Sequence, residues 1–129
     1  MEKIKLYDTT LRDGMQAEGV SFSLEDKFSI AKCLDRLGID YIEGGYPASN
    51  PKEMQFFHGI AGLDLRISRV VAFGSTRRAD SSVSDDASLS AIVAAKTNAA
   101  ALVGKIWTLH VTEVLGCSLD ENISIWFNL

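Results

Sequence analysis

The chain has 129 residues, 47% of them hydrophobic and 23% charged, with a formal net charge of −4. That suits one globular domain with a single core. The densest basic spot, Arg77-Arg78, is only two residues long and Asp80 follows after one alanine, so there is no electrostatic footprint for nucleic acid or an anionic membrane surface.

The opening "MEKIKLYDTT" turns polar before a signal-peptide core could form, and no apolar run approaches membrane-spanning length. Cys33 and Cys117 lie far apart and fit no metal-ligand spacing. A cytoplasmic protein is expected, with Cys33 a small buried thiol on an apolar helical face.

In chain order, "KIKLYDT" alternates Ile4 and Leu6 and predicts a first strand over 3–9. A helix follows, with Ser23 and Asp26 as its start signal, Phe28, Ile30, Ala31, Leu34 and Leu37 at helical spacing, and Gly38 as its stop. "IDYIEGG" predicts a second strand over 39–45, and Pro51 stands near the start of a helix over 52–62. Phe56 and Phe57 belong to its core face, while His58 is a solvated or packed helix histidine.

"LRISRVVAFG" predicts a third strand over 65–74, and "DDASLSAIVAAKTN" a helix over 85–98 capped by Asp85 or Ser84. "AALVGKIWTLHV" predicts a fourth strand over 100–111, irregular at Gly104-Lys105 and ending near His110. Trp107 and Trp126 are expected in the core. A last helix opens with Ser118 and Glu121 as its capping box.

Strands alternating with helices predict parallel βα units, since parallel neighbours need crossover connections. An open doubly wound sheet and part of a (β/α)₈ barrel both accept the pattern. The turn after the first strand holds one glycine and two charges, so a dinucleotide fingerprint is absent. A barrel needs about 250 residues, roughly twice this chain.

Ligands gather at the carboxyl ends of parallel strands. The first strand delivers Asp8, Arg12, Asp13 and Gln16 there. The second delivers Glu43, Gly44, Gly45 and Tyr46, and the third Gly74, Ser75, Thr76 and Arg77. The fourth is expected to deliver His110, Thr112 and Glu113. Asp13 is either an exposed turn aspartate or a hard-oxygen metal ligand. Arg12 either pairs with Asp8 or Glu43 or grips an oxyanion with its fork. Glu43 ends an apolar strand, and a carboxylate there needs a cation or donors beside it. His110 is either a hydrogen-bonded structural histidine or a group that orients a substrate carbonyl.

"DTTLRDGMQAEG" resembles the signature of a family of metal-dependent acyltransferases and lyases that includes 2-isopropylmalate synthase, homocitrate synthase and HMG-CoA lyase. The longer run from Leu6 to Phe57, with "GSTRR" and "GKIWTLHVTEVLG", is most similar to the citramalate synthases within it; 2-isopropylmalate synthases are the alternative. The resemblance implies about the first four βα units of a (β/α)₈ barrel, residues 1–129 being the N-terminal half of a catalytic domain.

It implies Asp13 as a ligand of a divalent cation, magnesium or manganese, with zinc possible. Arg12 then stabilises an enolate oxygen, with Glu43 paired to it, and Gln16 and His110 lie near the keto acid. The implied reaction is a Claisen-type condensation of acetyl-CoA with pyruvate, a step towards isoleucine. The family's His-x-His metal pair is missing, because the histidines here are His58 and His110. After about Asn122, "ISIWFNL" leaves the pattern, which suggests a truncated gene product, inactive alone. Unpaired strand edges then predict a homo-oligomer, or a non-catalytic half-barrel that acts only by association.

Overall fold

A computed structural model describes residues 4–128. Four strands form one sheet in the order β1 (Tyr7–Asp8), β2 (Tyr41–Gly45), β3 (Arg69–Ser75), β4 (Ala99–Val103), all parallel. Helices α1 (Leu24–Leu37), α2 (Pro51–Ile60) and α3 (Ala87–Ala94) provide the three crossovers. A π-helical segment, His110–Leu115, and α4 (Leu119–Phe127) follow β4. The core gathers Leu11, Ala31, Ile42, Phe56, Phe57 and Ala72 between sheet and helices. Among the described residues no helix is long and apolar enough to cross a membrane.

Local chemistry explains the boundaries of α1. Ser23 accepts from the Asp26 N–H while the Asp26 carboxylate accepts from the Ser23 N–H, which completes a capping box. Gly38 ends the helix in the left-handed region at φ 85°, where a side chain would be strained. Asn50 caps α2 with Pro51 in its first turn, and Ser118 caps α4 by accepting from the Glu121 N–H.

Several expectations are corrected. Lys3, the first residue of the expected opening strand, lies outside the described residues. Ladder pairing there is confined to Tyr7–Asp8: the Leu6 N–H donates to the Asp40 carboxylate, and the chain coils from Thr9, whose carbonyl accepts from Arg12 and Gly14. Ile4 and Leu6 are exposed rather than turned to a core. Helix α3 is capped by Asp86, not Asp85 or Ser84; its buried carboxylate accepts from the Leu89 and Arg78 N–H groups. Cys33 is exposed beside Arg36, because the inward face of α1 carries Lys27, Ala31 and Asp35 instead.

The largest correction concerns β4, which stops at Val103. A Cβ on Gly104 would lie 2.3 Å from the Trp126 ring, so α4 packs onto the chain where a longer strand would run. Asn122 holds that arrangement by donating to the Lys105 carbonyl at 2.9 Å. Val111, Cys117 and Ile125 make a small second core there. Trp107, expected inside, is more than half exposed.

Asp35 sits in the last turn of α1, where the helix dipole disfavours a carboxylate. Burial pushes its carboxyl up, but the N–H groups of Ser68, Arg66 and Ile67, at 2.7, 3.1 and 2.8 Å, hold it below the usual carboxylate range. A carboxyl lowered in the fold stabilises it above the unfolded value and loses that contribution as pH falls through the folded one. Asp35→Asn is therefore expected to cost about 1–3 kcal/mol at pH 7 in urea unfolding. It is also expected to flatten the loss of stability below about pH 4.

Candidate functional site

The turn after β1 is built by its own backbone. Asp8 accepts from the Thr10 N–H and hydroxyl, both at 3.0 Å, and the N–H groups of Arg12 and Gly14 both donate to the Thr9 carbonyl. This coil delivers Leu11 to the core and turns Arg12 towards the carboxyl end of β2. Glu43 lies there with its side chain 4% exposed. The Arg12 Nε donates to one Glu43 oxygen and the Tyr7 hydroxyl to the other. The buried carboxylate is thus satisfied on both sides, as its low-dielectric surroundings require.

Tyr7 was not anticipated from the sequence. Burial, the hydrogen bond to Glu43 and the carboxylate's charge together push its phenol far above its ordinary value, so it remains a donor. The Arg12 guanidinium carbon also stands 4.0 Å from the centroid of the Phe73 ring, on β3. The β1 turn, β2 and β3 therefore fix Arg12 from three directions.

Arg12 and Gln16 line one cleft of about 290 Å³, with Tyr46, Phe73 and Glu53 among its other walls. Asp13 does not line it; its side chain is 60% exposed, and one carboxylate oxygen lies 3.5 Å from an Arg12 terminal nitrogen. His110 is brought to neither. It stands on the π-helical segment, seven residues past the end of β4, with its ring edge-on to Trp107 at 4.6 Å. The apolar run around it follows a helical period, which removes it, Thr112 and Glu113 from the strand rim.

A buried ion pair closes the inner side of the cleft. Lys27 is completely buried, its Nζ 2.8 Å from both Glu53 oxygens and 4.7 Å from the Phe56 ring centroid. Desolvation lowers the Lys27 pKa and the Glu53 charge opposes that change. The pair presses against Gly45, where a Cβ would fall 1.7 Å from a Glu53 oxygen and where φ is 143°. Only glycine fits there. The ladder with β3 shifts register between Glu43 and Gly45, at the strand end against which this pair packs.

Among the described residues, no three His, Cys, Asp or Glu side chains converge to hold a metal ion. Asp13 offers a single carboxylate, and the neighbouring arginine would repel a cation. These residues supply one ligand and not a site.

A parallel βα sheet with an arginine–carboxylate pair at its carboxyl rim has the layout of α/β folds whose sites stand on that rim. The HMGL-like family model matches residues 3–127, and the chain belongs to that family, whose members are metal-dependent. The match reaches past Asn122, where the resemblance was expected to lapse.

The chain is 49% identical over 127 residues to the (R)-citramalate synthase of Sulfolobus acidocaldarius, covering 98% of this chain and 24% of that protein. It is 54% identical over 59 residues to the 2-isopropylmalate synthase of Pyrococcus furiosus, covering 46% of this chain and 12% of that protein. It thus spans about a quarter of the length of the curated citramalate synthases it matches. The Bacillus subtilis HMG-CoA lyase superposes with a TM-score of 0.64 at 22% identity, over 95% of this chain and 40% of that one. The fold is accordingly four βα units of an incomplete (β/α)₈ barrel.

Lys27→Ala strands the Glu53 carboxylate and is expected to destabilise the chain by about 3–5 kcal/mol in urea unfolding. Replacing both partners with apolar residues (Lys27→Met with Glu53→Leu) should recover most of that loss.

Proposed function

We propose that residues 1–129 form the N-terminal part of the catalytic barrel of an enzyme that condenses acetyl-CoA with pyruvate to give citramalate, a cytoplasmic step towards isoleucine. What carries this is the Arg12–Glu43 pair, set in a chain that matches citramalate synthases along nearly its whole length and 2-isopropylmalate synthases over less than half. The free thiols of Cys33 and Cys117 fit a reducing compartment.

In the condensation, the acetyl methyl loses a proton and the resulting carbanion attacks the keto carbon. Water then cleaves the thioester, releasing CoA. Negative charge develops on oxygen at each stage, so a preorganised donor lowers the barrier. Glu43 occupies the Nε side of Arg12 and an Asp13 oxygen stands 3.5 Å from one terminal nitrogen, leaving the other terminal nitrogen to grip an oxyanion. Gln16 presents an amide to the keto acid in the same cleft. Asp13 is proposed as one ligand of a Mg²⁺ or Mn²⁺ ion, with Zn²⁺ the alternative, whose remaining ligands these residues do not supply.

The test is pyruvate binding by the purified chain, followed by ligand-observed NMR. Saturable binding is expected, weakened about tenfold or more by Arg12→Lys, which keeps the charge and loses the fork. No saturable binding by the wild-type chain would overturn the assignment of the cleft. With acetyl-CoA, pyruvate and Mn²⁺ the isolated chain is expected to give negligible citramalate.

A specific surface favours a second role, association of this half-barrel with a second copy. Val103, Ile106, Trp107, Leu109, Val114 and Phe127 are all exposed on β4 and the segments after it. We propose that the purified chain is a homo-oligomer. Sedimentation equilibrium is expected to give at least twice the 14.1 kDa chain mass, and a monomer at all concentrations would exclude it.

A further inference from the structure

A second cleft, of about 420 Å³, lies beside the Arg12 cleft and is bounded by Ser75, Arg78, Asp86 and Ser88. Of the residues lining either cleft, Tyr46 alone lines both. It follows directly on β2, and its ring is braced at two points. One is the Phe73 ring, met edge-on at 6.0 Å and 86°. The other is Ser88 on α3, whose hydroxyl accepts from the Tyr46 hydroxyl at 2.9 Å. Phe73 is also the ring beneath the Arg12 guanidinium. Tyr46 is therefore a partition whose position is coupled to the oxyanion-gripping group by one shared aromatic ring.

From this we infer that Tyr46 determines which 2-oxo acids the Arg12 cleft admits, by walling it off from the space in front of Ser75 and Ser88. The inference rests on the assignment of the Arg12 cleft to the 2-oxo acid. With the acid's carboxylate and ketone at Arg12 and Gln16, its side chain meets the Tyr46–Phe73 wall. In that pose a methyl group clears the Tyr46 ring, whereas a branched side chain presses against it. Close packing makes such a wall selective, because a few extra carbons in a filled site cannot be absorbed elsewhere. The Ser88 hydrogen bond keeps the ring from swinging aside.

The experiment compares dissociation constants of pyruvate and 2-oxoisovalerate for the wild-type chain and for Tyr46 variants, with circular dichroism as the fold control. In Tyr46→Ala and Tyr46→Val the ratio of the 2-oxoisovalerate to the pyruvate constant is expected to fall about tenfold or more. Tyr46→Phe, which keeps the ring and loses the Ser88 hydrogen bond, should lower the ratio by clearly less than Tyr46→Ala. Tyr46→Trp enlarges the wall and should raise it; this variant decides the matter if both small ones unfold.

An unchanged ratio in folded Ala and Val variants, an equal fall in Phe, or no rise in Trp would overturn the inference while pyruvate binding through Arg12 stands. Absence of pyruvate binding by the wild-type chain would instead remove the assignment of the cleft itself, and this inference with it.

Discussion

Glu43 is buried within β2, two residues before its carboxyl end, and a carboxylate there persists only if donors meet both oxygens. The Arg12 Nε and the Tyr7 hydroxyl meet that demand, which ties the turn after β1, β1 itself and β2 into one unit. The rest of the rim depends on this requirement. Arg12 is fixed against Phe73, Phe73 supports Tyr46, and Tyr46 reaches Ser88 on α3. Structural and chemical roles coincide at this pair: the interaction that makes burial of Glu43 tolerable also aims the guanidinium.

Behind the rim, a second buried pair sets the geometry of the strand end. Lys27 and Glu53 join α1 to α2 across the backbone of Gly45. A pair buried this deeply contributes little net stability over apolar substitutes, because desolvation offsets attraction. Its effect is positional. It holds the start of α2 against the bulged end of β2.

Much of this was legible in the sequence because local rules and burial agreed. Ser23 with Asp26, Gly38 and Pro51 mark helix ends by chemistry that needs no tertiary information. The Arg12–Glu43 pairing was one of two the residues left open, Asp8 being the other partner, and burial of the Glu43 carboxylate decides for it. Lys27 and Asp35 were not legible, because helical periodicity assigns charges to the outer face and these two point inward to partners distant in sequence. His110 was misplaced for the opposite reason. A short apolar run can satisfy a strand or a helical period, and packing of Trp126 over Gly104 decided for the helix. Tyr46 gains its meaning only from Ser88, forty-two positions away.

Each strand in the sheet lies next to the one that precedes it in the chain, and the paired residues are separated by roughly thirty positions. Within these four strands, each ladder forms between strands that are neighbours in the chain. The sheet can therefore grow by accretion as the polypeptide leaves the ribosome, each crossover helix docking before the next strand arrives. Such sequential assembly leaves one growing edge exposed at every moment of synthesis, and here that edge is β4, beyond which the chain carries its most conspicuous apolar side chains.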